Sequence, residues 1–403
     1  MKNKRAVLLL AILMCTLPTM AEVFRYKYRQ GETVKILSQV EEDVYVNRVF
    51  SHHALITNRV AAEITHMEGT TATHNATFMV SENSTRNTIE IANWGKEYTS
   101  VFQRDELGHY TIDKSYFMPV VRDIPVFPEE DIQVGDTWTA SGHEAHDLRD
   151  GFNVPEPFIV PFAAQYTYLG TAEEDGKTLH VIDVQYNIYF ASPNLQEALR
   201  YNTDVPATTM GYSHQRIYWD NERGNIAWYN EEFRILIETA YGNTFDFIGT
   251  AYAEVDYLQE KASTKVAEVQ DTIANLGLEN TTVRSDEEGL TISIENIQFM
   301  PDSAILLDSE KAKLREIAKV IQQFPLNDLL ISGHTALAGT ERDRQSLSEE
   351  RAHAVAEYLT EIGAKDSTHI FTRGFGATKP IAPNNTEEGK AKNRRVEITI
   401  LDK

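Results

Sequence analysis

The chain has 403 residues, 42% of them hydrophobic, and carries 60 acidic against 38 basic side chains for a formal net charge of −22. That length accommodates two or three domains with their own cores. So acidic a balance excludes nucleic acid as a partner and favours a well-solvated surface.

In the first 21 residues, Lys2, Lys4 and Arg5 precede an apolar run from Ala6 to Met14, and Thr19-Met20-Ala21 sets small residues at −3 and −1 of a cleavage site before Glu22. This is the pattern of an export signal, and its apolar run is well short of the ~20 residues that span a bilayer. Cys15, the only cysteine, lies inside it. A lipoprotein signal sets a small residue before the modified cysteine; with Met14 there, an ordinary cysteine of the apolar run is the preferred reading and lipidation the alternative. Cleavage after Ala21 leaves no thiol, which excludes disulfides and thiolate chemistry.

Residues 22–257 read as β-rich. Short stretches such as Phe24–Tyr28, Thr33–Gln39, Thr77–Val80, Tyr98–Phe102, Leu179–Phe190 and Ser213–Trp219 combine Val, Ile, Thr, Tyr and Phe between Gly, Asn, Asp and Pro punctuation. The clearest hairpin joins Glu232–Ala240 to Thr244–Tyr257 through Tyr241-Gly242-Asn243. Alternation of this kind predicts a soluble, sandwich-like β region of one or two modules. Pro119, Pro125 and Pro128 mark either an inter-domain crossing within 119–128 or an edge or crossover segment of one module. A membrane barrel is the alternative architecture, but segments such as Phe24–Arg29 do not sustain a lipophilic face.

Chemical motifs are sparse in this region. His143 and His146 flank acids in what reads as a polar loop, and His52-His53 would point to opposite faces of a strand; neither fixes a third ligand, so no metal site is expected. There is no Gly-x-Ser-x-Gly elbow, P-loop or His-Glu-x-x-His motif. The reading is of a non-enzyme without cofactor.

Near Tyr257 the pattern changes. Leu258–Leu276 reads as a mostly polar helix with Val266, Val269, Ile273 and Leu276 on one stripe and Gly277 as its stop, giving a helical linker over 258–280. Residues 281–403 then alternate between periods of two and 3.6: strand Glu288–Glu295, a helix opening at Asp308-Ser309, strand Leu329–Ser332, helix Leu347–Gly363, strand His369–Gly374 and strand Val396–Leu401. The order β-α-β-α-β-β predicts an α+β domain with two helices over one sheet face. Arg351 is expected in the first turn of the second helix, where a guanidinium and the helix N-terminus would both attract an anion.

Gly333-His334-Thr335, Leu347-Ser348-x-x-Arg351-Ala352, Gly374-x-Gly376, Pro380 and Asn385-Thr386-x-x-Gly389-x-x-Asn393-Arg394-Arg395-Val396-Glu397-Ile398, with the entry segment Phe299–Leu306, resemble the OmpA-like domain of bacterial envelope proteins over roughly Leu290 to Leu401. The resemblance implies non-covalent binding of peptidoglycan through the diamino acid of its stem peptide. In that family an Asp after the Gly-His-Thr holds the ammonium of the diamino acid, and the Arg matching Arg351 holds its carboxylate. Here the Asp position is Ala336 and a usual Asn position is Arg344. Glu341 and Asp343 could substitute for the Asp if the loop between folds back.

Thr335 and Phe299 are expected as turn and groove-wall residues, His334 as structural. Only one of Arg394 and Arg395 can face the groove, because they alternate. The function this resemblance implies is a tether in the periplasm, associated with the cell wall or the inner face of the outer membrane, holding peptidoglycan through the C-terminal domain and other envelope proteins through the β-rich region. The alternative is an interaction scaffold that no longer binds the wall.

Overall fold

The computed structural model describes residues 21–83, 91–152, 154–192, 204–258, 260–300 and 303–402. The export signal, apart from Ala21, and Cys15 lie outside the described residues.

The N-terminal half is built from β1 (Thr33–Val46), β2 (Val49–Glu68), β3 (Thr71–Asn83), β5 (Lys96–Arg104), β6 (Tyr110–Ile112), β7 (Val121–Arg122), β8 (Thr137–His146), β9 (Phe158–Glu174), β10 (Lys177–Ala191), β11 (Pro206–Asp220), β12 (Asn225–Thr239) and β13 (Thr244–Leu258). Together they form one antiparallel 12-stranded sheet in the order β6-β5-β3-β2-β1-β13-β12-β11-β10-β9-β8-β7. A two-layer sandwich is therefore not what forms. Strands of up to 20 residues, twisting in one hand, bring the two edges of a single sheet round towards each other. The seam between edges β6 and β7 is bridged: Tyr110 donates its backbone N–H to Asp123 Oδ1 at 2.7 Å, Ser100 Oγ to the Met118 carbonyl at 2.7 Å, and Arg104 Nη2 to the Ile124 carbonyl at 3.2 Å. The Pro119–Pro125 stretch thus crosses from one edge of the sheet to the other.

Alternation decides which face turns inward. On β12, Tyr229, Phe233 and Ile235 point into the lumen, while Asn230, Glu232 and Arg234 face outward. On β1 the inward set includes Ile36, Ser38 and Val40 and the outward one Gln39, Glu41 and Asp43. This is the reverse of a lipid-facing barrel strand. Phe24–Tyr28 forms no ladder; with Phe24 fully buried and Tyr26 nearly so, it plugs one end of the sheet against Phe127 and Trp219. These rings were expected to alternate in a strand; instead aromatic edge and face contacts hold them as a stopper.

Other expectations are corrected as well. Val49–Glu68, of which only His52-His53 was read as strand, is a strand of 20 residues whose half-polar alternation suits a sheet with one wet face. His143 and His146 lie on strand β8 rather than in a loop, 3.3 Å from Asp123 and 2.8 Å from Glu144 respectively. Among the described residues no group of side chains is arranged to hold a metal. The linker helix begins later than Leu258: β13 runs to Leu258, a turn of 3-10 helix covers Ala262–Lys265, and α1 is Val266–Asn275. Pairing with β1 keeps the chain extended where local propensity alone reads helix.

The C-terminal domain contains β14 (Thr281–Ser285), β15 (Gly289–Glu295), α2 (Asp308–Ile321), β16 (Leu329–Gly333), α3 (Glu341–Glu361), β17 (Ile370–Gly374), α4 (Glu387–Asn393) and β18 (Arg395–Leu401). The expected β-α-β-α-β-β order is present, with β14 and α4 added. Its sheet runs β14-β15-β18-β16-β17 and is extended by β4 (Ala92–Asn93), which pairs in parallel with β17 although it comes from the N-terminal half. One face buries Ile292, Ile331, Val396 and Ile398 under Ile273 of α1, Leu314 and Ile317 of α2, and Val355 and Leu359 of α3. Each such side chain contributes about 1.5–3 kcal/mol.

The opposite face meets the N-terminal sheet. Leu330, Phe371 and Leu401 pack with Leu37, Met79 and Trp94. Beside them Asp328, fully buried, receives Lys35 Nζ at 2.9 Å, Arg59 Nε at 2.6 Å and His369 Nδ1 at 2.8 Å, and His369 Nε2 reaches Glu254 at 3.1 Å. Burial pushes the Asp328 carboxyl up, but Arg59, Lys35 and His369 together hold it well below the usual carboxylate range. Burial pushes the His369 imidazole down; Asp328 and Glu254 outweigh it and raise the ring to about 9.

Candidate functional site

The glycines and small polar residues of the C-terminal motif set how closely the elements approach. Gly333, ending β16, lies against α3: a Cβ there would stand 2.0 Å from the Ser348 carbonyl oxygen. Ser348, fully buried, donates to the Gln345 carbonyl at 2.8 Å and accepts from the Gly376 backbone N–H at 2.9 Å. Asn393, equally buried, accepts the N–H groups of Ile381 and Ala382 at 2.8 and 3.0 Å and donates to the Ala382 carbonyl. Thr386 caps α4 by accepting the Gly389 N–H. These residues fix the turns around a cleft.

Helix α3 starts at Glu341, capped by Thr340, six residues earlier than expected. Arg351 therefore sits in the third turn, and the attraction of the helix N-terminus, which fades within the first turn, does not reach it. Any pull of this residue on an anion comes from the guanidinium alone. That group lies 4.8 Å from the centre of the Phe299 ring, and its Nε has no hydrogen-bond partner among the described residues. Burial and the neighbouring Arg394 lower its proton affinity, with Glu350 acting the other way. An arginine stays charged under such a shift, so the two guanidiniums form a cationic spot against an aromatic wall.

The expected residues divide between this spot and the scaffold. Phe299, Arg351 and Arg394 come together. Arg395, 3% exposed, turns to the other face, donating to Glu397 Oε1 at 2.7 Å and to the Lys379 carbonyl at 3.1 Å. His334 stacks on Phe375 at 5.1 Å and donates its backbone N–H to the Arg395 carbonyl. Thr335 gives its N–H to the Gly376 carbonyl and leaves its hydroxyl unpartnered among the described residues. Ala336 is buried and has no polar group to offer. Arg344 donates Nη1 to the Gly339 carbonyl at 2.6 Å. Asp343 accepts the hydroxyl of its own cap residue Thr340 at 2.7 Å, and Glu341 shares that first turn of α3.

Sequence reasoning missed two groups. The Asp328 cluster joins residues from four elements far apart in the chain, and the buried Glu144 and part-buried Glu231 of the N-terminal sheet carry no motif; only inward alternation along β8 and β12 marks them.

Residues 298–394 match the family described as OmpA family. The chain is 35% identical over 134 residues to probable lipoprotein YiaD of Escherichia coli (strain K12), covering 33% of this chain and 60% of that protein. It is 40% identical over 104 residues to peptidoglycan-binding protein ArfA of Mycobacterium tuberculosis (strain ATCC 25618 / H37Rv), covering 26% of this chain and 32% of that protein. Less than two thirds of either relative is spanned. An outer membrane protein of Borrelia burgdorferi B31 is 38% identical, with 30% of this chain and 97% of that one covered and a TM-score of 0.26.

Proposed function

We propose, from the premise that residues 298–394 belong to the OmpA family, that this chain is a non-enzymatic envelope protein that associates with peptidoglycan through its C-terminal domain. The observation that carries the reading is Arg351, half-buried beside Arg394 and Phe299 with an unpartnered Nε, at the position where the family holds the stem-peptide carboxylate. A half-buried guanidinium that has Glu350 nearby but no ion pair among the described residues keeps donors free for an anion. The export pattern of residues 1–21 supports a periplasmic location, and the N-terminal sheet, anchored to the domain through the Asp328 cluster, is the part available to other envelope proteins.

Ala336 favours a second reading, a scaffold whose wall affinity is lost, because the diamino acid's ammonium then has no carboxylate. Removing one member of a buried charged pair costs about 2–5 kcal/mol, roughly thirtyfold or more in affinity. A stem peptide with a different diamino acid would escape that loss. Co-sedimentation with peptidoglycan from the source organism and with diaminopimelate-type peptidoglycan separates these readings. Pelleting of the wild type that disappears in Arg351→Ala supports the tether. A wild type that stays in the supernatant with both walls, while Ala336→Asp pellets, supports the scaffold.

A further inference from the structure

The N-terminal sheet is not filled to its centre. Between the aromatic plug and the opposite end lies a cavity of about 390 Å³ lined from β1, β2, β3, β8, β10, β11, β12 and β13, within the range of about 300–1,000 Å³ that holds small-molecule ligands. Most of its wall is aliphatic or aromatic. Its acidic and basic lining comprises the acids Glu144 and Glu231, His146, and the arginines Arg59 and Arg104. Glu231 accepts from Ser213 Oγ at 2.6 Å and from Gln215 Nε2 at 3.3 Å, both neutral, and has no cationic partner among the described residues. Glu144 accepts the Tyr186 hydroxyl at 2.9 Å and lies 2.8 Å from His146 Nε2. Two residues beyond Val40 on the same inward face of β1 comes Glu42, a third acid. Both arginines are committed elsewhere: Arg59 through Nε to Asp328 at 2.6 Å, and Arg104 to Tyr26 Oη and to the Gly108 and Ile124 carbonyls.

We propose that this lumen binds a small amphiphile carrying a protonated amine, its hydrocarbon among Val40, Val60, Phe233 and Ile235 and its ammonium at Glu231 and Glu144. Charge complementarity selects the head group. An anionic head would be buried against two carboxyls, a neutral one would leave Glu231 unpaired, and an ammonium supplies both the missing charge and three donors. The proton affinity of Glu231 fits an acid waiting for a partner: burial pushes it up to about 7, Ser213 and Gln215 pull it down, and Glu144 raises it. The side-chain carboxamide of Asn58, also lining the lumen, is a further polar group able to contact a ligand.

The test is calorimetric titration of the full chain at neutral pH with octylamine, octanol and octanoate. One octylamine should bind per chain, with octanoate weaker by on the order of thirtyfold. Glu231→Gln should weaken octylamine by a similar factor and leave octanol nearly unchanged, a pattern that loss of folding would not give. Ala251→Leu and Val40→Trp, which fill empty space, should abolish binding of all three while the thermal melt stays cooperative. Octanoate binding as tightly as octylamine, an unchanged octylamine affinity in Glu231→Gln, or no binding of any of the three would overturn the proposal.

Discussion

Two places in the C-terminal domain concentrate charge, and they are resolved in opposite ways. At the junction with the N-terminal sheet, Lys35, Arg59 and His369 converge on Asp328, with Glu254 behind His369. On the helical side, Arg351 neighbours Arg394 and Phe299, with Glu350 nearby but no carboxylate in ion-pair contact with Arg351 among the described residues. The first cluster is close to balanced, with Asp328, Lys35 and Arg59 buried and only His369 and Glu254 reaching the surface, so its role is completed within the chain. The second is half-open and unbalanced, which is what a binding site for an anion requires. The difference teaches that charge alone does not mark function; the missing counter-charge does. Glu231 in the lumen is the same argument with the sign reversed.

The largest way to break this contrast is to unbalance the balanced cluster. Asp328→Ala leaves three cations facing one another and should cost about 3–5 kcal/mol. Denaturant melts will show it, and limited proteolysis should find newly accessible sites near Ala92–Trp94, where the two halves share a sheet. An unchanged melting midpoint would mean that the cluster is not buried in solution.

To sharpen the contrast, the open cluster can be closed. Ala336→Asp, placing a carboxylate where the family has one, should raise retention on diaminopimelate-type peptidoglycan by about tenfold or more. Unaltered retention would show that Ala336 does not face the ligand.

A smaller effect comes from pH. His369 takes up its proton more tightly folded, at about 9, than its unfolded value near 6.5. Its contribution is therefore complete below about pH 6.5 and is lost as pH rises towards 9. Lys365, donating to the Phe324 and Pro325 carbonyls nearby, is pushed down to about 8 by burial and by Lys35. Its unfolded form binds the proton more tightly, so above about pH 8 it acts in the opposite sense. Stability should fall between about pH 6.5 and 8 and then flatten, and His369→Gln should remove the part of the fall above about pH 7, where Glu231 no longer contributes to it. At the acid end Asp328 contributes above its unfolded value near 3.9, and that contribution is lost as pH drops further.

The smallest effect separates the two clusters most directly. Arg351→Ala should change the melting free energy by only about 0.5 kcal/mol, because no hydrogen bond holds its Nε, while abolishing wall retention. A large loss of stability in this variant would make Arg351 a structural residue.

The sequence by itself determined the C-terminal domain. Its strands and helices are short and locally patterned, so the strand from Leu329, the helix opening at Asp308 and the strand Val396–Leu401 were legible from period and breakers to within a residue or so at the strand ends. Arg351, Arg394 and Phe299 were legible as well, through a spaced motif. The start of α3 was not, because the polar stretch Glu341–Ser346 has no apolar stripe and only the Thr340 cap announces it. Tertiary structure alone decided the rest. Whether thirteen-to-twenty-residue strands split into two layers or curl into one sheet depends on twist summed over all of them and on which edges meet, and no local window contains that. Two partners of Asp328, Lys35 and Arg59, lie 293 and 269 positions away, and the surroundings of Glu231 depend on which side chains the curled sheet turns towards it. A charge is written in the sequence, but whether it is paired is a property of the fold.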